Sequence, residues 1–301
     1  MSNPVDAPGR PGLLKFCSPN DHAISNLRSR VIYCQHYSRF NDPFEFWAEF
    51  RRGMPDVKTE PERFEAAQRE WGYQSPDGMN DPDTAAYFEE MLLYEPPFEM
   101  MLDKVRIACF GSEPDNLLMW SHYADGLRGF CIVFDEEAIV GADPEAYVLD
   151  VAYLDRPPVV DSFVYAIAWD QQEFHLGAIE ETQAQIKYGR KVDEERWLGP
   201  YQEAADTALA HMKEIWQQVF GTKPLDWKYE NERRLLLQTD LVGEEPLLRS
   251  YPAKAVREII YGERMPPAFL ARLQTVVREA YGDIPIRMAR RSNDAYALFI
   301  N

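Results

Sequence analysis

The chain has 301 residues, 46% of them hydrophobic and 13% aromatic, enough to bury a full core and too apolar for a disordered chain. Against 32 basic residues stand 50 acidic ones, a net charge of −18. Nucleic-acid binding neutralises phosphates with Lys and Arg, so this balance argues against a broad nucleic-acid surface, and Arg287, Arg290 and Arg291, like Arg233 and Arg234, read first as solvated basic faces.

In chain order, residues 1–12 (MSNPVDAPGRPG) read as a flexible Pro/Gly-rich leader and 13–301 as a single domain. The leader lacks the charged and apolar regions of a signal peptide, and no run approaches the roughly 18 apolar residues of a spanning helix. The four cysteines, Cys17, Cys34, Cys109 and Cys131, have no close paired spacing. That pattern predicts free thiols in a reducing, cytoplasmic setting, with neither a disulfide framework nor a zinc site. Leu13–Cys17 is a predicted strand with Lys15 at its middle, and Ser18-Pro19 reads as the cap and first residue of a helix ending near Arg30. Val31–Cys34 is a second strand, and Asn41-Asp42-Pro43 a turn. Residues 51–104 look like an inserted helical region, with capping-box spacing at Thr59 and Glu62, a C-terminal glycine at Gly72, and a second helix, Thr84–Tyr94, stopped by Pro96-Pro97.

The densest stretch is Ala108–Asp135, ACFGSEPDNLLMWSHYADGLRGFCIVFD. A strand ends at Gly111-Ser112, a short helix carries Trp120, His122 and Tyr123, two glycines turn the chain, and Phe130–Phe134 reads as a buried strand. Further on, Ala146–Tyr153 alternates as a strand, helix is expected over Gln172–Lys187, and Tyr201–Phe220 is the clearest amphipathic helix. Thr222–Thr239 is expected to run from a polar loop into a strand whose period of two places Glu230 and Glu232 on one face, about 7 Å apart. Val256–Tyr261, Ile284–Ala289 and Ala295–Ile300 complete the strands, and Ala268–Tyr281 the helices. Strands at both ends and in the centre, with helices between, predict an α+β fold: mixed or antiparallel sheet flanked by helices.

P-loop, dinucleotide-fingerprint, zinc-protease and nucleophile-elbow motifs are absent from the sequence. Three softer constellations remain. Glu230 and Glu232, beside Lys228 and Arg233-Arg234, suit a site that orients a hydroxyl and stabilises a developing cation; equally, they suit an exposed sheet face laced with ion pairs. Trp120, His122 and Tyr123 suit a pocket wall with a titratable imidazole, or two core anchors beside a surface histidine. Lys15, with Asn41 and Asp42, suits anion binding, or a snorkelling lysine beside an ordinary turn.

Together the segments LLKFCS, NDPFE, CFGSEPDNLLMWSHYADGLRGFCIVFD and WKYENERRLLL resemble the bacterial domain of unknown function family 2971, from Leu13 to about Gly262. The family more often reads CFS, so Gly111 or Ser112 takes that serine position. The family resemblance implies a bacterial setting in phage defence or conflict between cells; the layout is also similar to ADP-ribosyltransferases, a resemblance that implies NAD as substrate and toxin or effector activity. It further implies a nucleotide partner, a macromolecular acceptor and a neutralising protein. It gives catalytic parts to Lys15, Ser112, Glu230 and Glu232, with Lys15 departing from the usual His or Arg. Trp120, His122, Tyr123, Asn41, Asp42 and Arg233 would then bind substrate. Two other readings stand beside it: a non-catalytic ligand-sensing or protein-binding module, and a hydrolase or nuclease with a divalent metal on Glu230, Glu232 and Asp42.

Overall fold

A computed structural model describes residues 12–94, 98–141, 143, 146–191, 193–241 and 243–301. The leader, apart from Gly12, and the Pro96-Pro97 stop lie outside the described residues. In chain order the elements are β1 (Leu13–Cys17), α1 (Asp21–Ser29), β2 (Val31–Cys34), β3 (Glu49–Arg51), α2 (Pro61–Trp71), α3 (Pro82–Met91) and α4 (Phe98–Asp103). The central stretch forms β4 (Val105–Phe110), α5 (Leu117–Tyr123), β5 (Phe130–Phe134) and α6 (Glu136–Val140), then β6 (Ala146–Asp150), β7 (Ala152–Leu154) and β8 (Val159–Asp161). Two long helices follow, α7 (Ser162–Lys187) and α8 (Glu194–Phe220), then β9 (Thr222–Pro224), β10 (Arg233–Gln238), β11 (Leu247–Ser250), β12 (Val256–Gly262), α9 (Pro267–Tyr281), β13 (Ile286–Arg291) and β14 (Leu298–Ile300). The fold is α+β, as the sequence pattern predicts.

Several boundaries move for identifiable reasons. Asn20, not Ser18, caps α1, its side chain accepting from Ala23 N at 2.9 Å. Thr59 makes no capping box: with Lys58 it closes an Asp56 turn, and α2 starts at Pro61 without a side-chain cap. Gly72 does end α2, in the left-handed region at φ 78°. Helix α7 begins ten residues earlier than Gln172, where Asp161 caps Phe163 and Val164, and α8 continues through Pro200.

The chain divides into two compact units. The smaller comprises Trp47–Phe98 and Pro157–Phe220; the larger comprises the described residues up to Phe46, with Glu99–Arg156 and Gly221–Asn301. Helices expected as an insertion over 51–104 therefore share a unit with α7 and α8. The smaller unit's core is an aromatic cluster of Phe64, Phe88 and Phe163 with Ala67, Met91 and Ile167.

The larger unit is built on the five-stranded sheet β1-β5-β12-β13-β14, in which only β12 and β13 run parallel, and on the antiparallel sheet β4-β10-β6. Period two sorts β1 onto both faces: Leu13 joins the core under α1 and α9, while Leu14 and Phe16 pack with Trp120 and Met119 of α5. Full burial of one such large side chain contributes roughly 1.5–3 kcal/mol. The turn after α5 is unusually tight, with positive φ at Asp125, Gly126 and Leu127 in succession.

Candidate functional site

Strands β1 and β4 are bridged where Leu14 and Gly111, the residue after β4, exchange backbone hydrogen bonds of 3.1 and 2.8 Å. Gln35 and Ile107 exchange a similar pair of 2.9 Å each beside β2. Between these bridges lies a cavity of about 340 Å³, within the range of small-ligand sites. Its lining includes Lys15, Phe16, Tyr33, Phe40, Cys109 and Phe110, with Arg39, Asn41, Tyr123, Lys223, Glu230 and Glu232, all from the larger unit.

The polar wall is a buried chain of alternating charge. Lys223 Nζ lies 2.8 Å from Glu230 Oε2 and 2.7 Å from Glu232 Oε2. Glu232 Oε1 accepts from Arg234 Nε at 2.9 Å, and Arg234 Nη1 lies 2.6 Å from Glu45 Oε1. Tyr123 donates its hydroxyl to Glu230 Oε1, and the Glu232 backbone N–H donates to the Tyr153 hydroxyl at 2.8 Å. Each carboxylate, ammonium and guanidinium in the chain is at most 4% exposed. Burial opposes charge on Glu232, but Arg234 and Lys223 outweigh it and hold this carboxyl down at about 2. Burial also opposes charge on Lys223, which Glu232 and Glu230 raise above an ordinary lysine. At Glu45 burial wins over Arg234 and its carboxyl is raised; its Oε2 has no hydrogen-bond partner among the described residues.

Local sequence places these groups. A 3-10 turn over Leu225–Glu230 ends at Asn231, whose left-handed backbone (φ 41°, ψ 53°) starts β10 two residues later. A short polar side chain tolerates that conformation better than most. Asn116, which caps α5 by accepting from Leu118 N and Met119 N, donates its amide to Tyr229 O at 2.5 Å and ties the turn to α5. The expected strand through Trp227–Asn231 is therefore corrected: alternation begins only at Glu232, and Glu230 reaches the same lysine from the turn. Nor do the two glutamates lie on an exposed face, since each is 3% exposed.

Lys15 lines the same cavity. Its ammonium donates to Cys109 O at 2.9 Å and lies 5.5 Å from the Phe110 ring centre, and among the described residues it has no carboxylate partner. Of the residues singled out from sequence, Lys15, Asn41, Tyr123, Glu230 and Glu232 meet at the cavity. The other five lie elsewhere. Trp120 is wholly buried, its indole N–H donating to Pro114 O at 2.7 Å and its ring edge-on to Phe16, so it is a core anchor and no stacking platform. Ser112 Oγ donates to Asn231 O at 2.8 Å, leaving Gly111 as the member of that pair on the cavity wall. His122 is exposed, with its ring 5.8 Å from that of Tyr229. Asp42 Oδ1 accepts from Phe44 N in its turn, and Arg233 points to the opposite face, pairing with Asp150 and Glu136.

A metal on Glu230, Glu232 and Asp42 meets a physical objection, because the Lys223 ammonium occupies the place between the two glutamates where the ion would sit. Among the described residues no group of three or more His, Cys, Asp or Glu is placed to hold a metal ion. The C-terminal basic cluster is partly neutralised, Arg287 and Arg291 pairing with Glu258 and Glu263. All four cysteines are free thiols, and among the described residues no helix is long and apolar enough to cross a membrane.

Sequence reasoning placed Arg234 on the face of Glu232 in an ion-paired array, and missed Lys223, Glu45, Tyr153 and Arg39. Period two in β10 already puts Arg234 on the face of Glu232; nothing local marks Lys223, which is the ordinary basic residue of a short strand after a helix.

The larger unit is thus an α+β unit with a charged, aromatic-walled cavity. Residues 119–235 match the family model described as Protein of unknown function (DUF2971), which supports the family resemblance over that segment, less than half of the chain. No curated protein and no solved structure matches the chain.

Proposed function

We propose that the larger unit binds a nucleotide of the NAD type in this cavity and cleaves its nicotinamide–ribose bond, passing ADP-ribose to water or to another acceptor. One observation carries the reading: cations (Lys15, Arg39) and carboxylates (Glu230, Glu232) line the same aromatic-walled cavity. A nucleotide has the complementary parts, with phosphates for the cations, ribose hydroxyls for the carboxylates and planar rings for Tyr33 or Phe40. Glu232, held ionised by Arg234 and Lys223, accepts a ribose hydroxyl and stabilises positive charge as it develops on the anomeric carbon. The carbon–nitrogen bond breaks with its electron pair going to the nicotinamide ring, which leaves neutral. An acceptor hydroxyl then bonds the anomeric carbon and gives its proton to the Glu230 carboxylate. A bacterial setting in phage defence or toxin activity, with a neutralising partner, belongs to this proposal through the family resemblance.

A second reading has its own observation. Glu230 and Glu232 share one ammonium, which weakens the negative field that cleavage needs and favours a receptor that holds its ligand intact. Calorimetric titration with NAD, beside Glu232→Gln, with released nicotinamide followed in the same samples, decides between them. Cleavage predicts release by the wild-type chain and a loss of about a hundredfold or more in the variant, with binding retained. Binding without release selects the receptor. Absence of binding by either chain overturns both for this ligand.

A further inference from the structure

Both oxygens of Glu230 are engaged. Oε1 accepts from the Tyr123 hydroxyl and Oε2 from Lys223 Nζ at 2.8 Å, and the residue is only 3% exposed. A carboxylate so enclosed takes a proton from an acceptor in the cavity either by giving up one of these partners or through one of them. Lys223 cannot pass a proton on in this way, because an ammonium has three donors and no lone pair. A phenol can, since its oxygen accepts one hydrogen while it donates another. Tyr123 is half-buried and lines the cavity together with Glu230 and Glu232.

The contact between Tyr123 and Glu230 is not needed to hold α5 in place. Asn116 already ties that helix to Tyr229 O, next to Glu230, at 2.5 Å, and Ser18 Oγ donates to Tyr123 O at 3.3 Å. These bonds keep phenol and carboxylate in register. Burial, with the Glu230 carboxylate beside it, raises the phenol above an ordinary tyrosine. Its proton therefore stays on it at neutral pH and passes on only as another arrives. Lys223 has a second carboxylate in Glu232, at 2.7 Å, so it keeps a counter-ion when Glu230 becomes neutral.

We propose, resting on the nucleotide-cleaving reading above, that Tyr123 relays the proton between the acceptor hydroxyl and Glu230. As an electron pair of the acceptor oxygen bonds the anomeric carbon, its proton passes to the Tyr123 oxygen, and the phenol proton passes to Glu230 Oε1. The tyrosine ends as it began, and the carboxylate ends as a carboxylic acid. Release of nicotinamide from NAD by the wild-type chain, Tyr123→Phe and Glu230→Gln, with and without azide, tests this. Azide attacks as an anion and has no proton to lose. Each variant should release nicotinamide about a hundredfold or more slowly, the usual size of general base catalysis, with NAD binding by calorimetry and helicity by circular dichroism retained. The double variant should be no slower than either alone, because the two side chains act as one unit. Azide, but not chloride, should restore most of the lost rate to both variants and give ADP-ribosyl azide, while hardly changing the wild-type rate. A Tyr123→Phe chain as fast as wild type, or a slow one that azide leaves slow, overturns the relay and leaves nucleotide cleavage standing. A wild-type chain that releases no nicotinamide overturns cleavage itself, and the relay with it.

Discussion

Lys223 is a single ammonium shared by two buried carboxylates, and its removal takes the cation from Glu230 and leaves Glu232 with Arg234 alone. Lys223→Met is therefore expected to lower stability by about 3–5 kcal/mol in denaturant unfolding, the cost of breaking a buried pair from one side. Its effect should hardly change with salt, since none of the partners faces solvent. Glu45→Gln makes the contrasting prediction. Burial already outweighs Arg234 at this carboxyl, and Arg234 keeps Glu232, so the substitution should leave stability at neutral pH within about 1 kcal/mol. Glu232 sets a pH dependence whose sign follows from its lowered value. The unfolded chain holds a proton on this group from about 4.5 downward, the folded chain only near 2, so the unfolded state binds more protons between them. The stability this group supplies is complete above about pH 4.5 and is lost as pH falls towards 2. Acid titration of unfolding free energy should show that loss in the wild-type chain and a shallower slope in Glu232→Gln.

The elements hold the site by backbone approach as much as by side chains. A Cβ at Gly129 would lie 2.1 Å from Cys17 O, and one at Gly262 2.2 Å from Leu127 O, so β1, β5 and the turn after α5 close on each other only with glycine there. Gly129→Ala should cost more than about 2 kcal/mol, read by thermal and denaturant unfolding, because backbone and not a flexible side chain must yield. Cavity binding should weaken with it, since Tyr123 and Lys15 sit on the elements that part. At this scale much was legible beforehand. Leu13–Cys17, Val31–Cys34 and Phe130–Phe134 fall where their β-branched and aromatic runs place them, and α9 starts within a residue of its expected position. What failed was the stretch before β10, whose aromatic residues mimic strand alternation. The left-handed Asn231 and the reach of Asn116 from α5 are tertiary facts with no local signature. The same holds for Lys223, whose importance lies in neighbours seven and nine residues away folding back on it. Trp120 was ambiguous for a different reason: an indole with its N–H satisfied by a carbonyl six residues back is as buried as a phenylalanine.

The molecule as a whole keeps its cavity in one unit and its aromatic helical core in another. Phe88 is wholly buried among Phe64, Trp71 and Phe163 in the smaller unit. Phe88→Ala should destabilise that core by about 3–5 kcal/mol while leaving any affinity of the cavity for the proposed nucleotide within about twofold at temperatures where the chain stays folded. Calorimetric unfolding and ligand titration of the same variant check both halves of the statement; a collapse of affinity without unfolding would show that the cavity draws on more than its own lining. The excess of 18 negative charges belongs to this scale as well, and it disfavours any polyanionic acceptor that approaches without its own counter-charge.

The cavity wall runs from Lys15 to Glu232, with the whole α7–α8 hairpin made between Tyr123 and Lys223. A ribosome adding about 5–20 residues per second takes roughly 10–40 s to travel from the first of these to the last. Throughout that time the lysine of β1 has no cavity to face, and a chain released early by a nonsense codon or a stalled ribosome carries none of the carboxylate wall. The interleaved order of the chain thus sets an order in time: the charged wall of the cavity is complete only once α7 and α8 have been made.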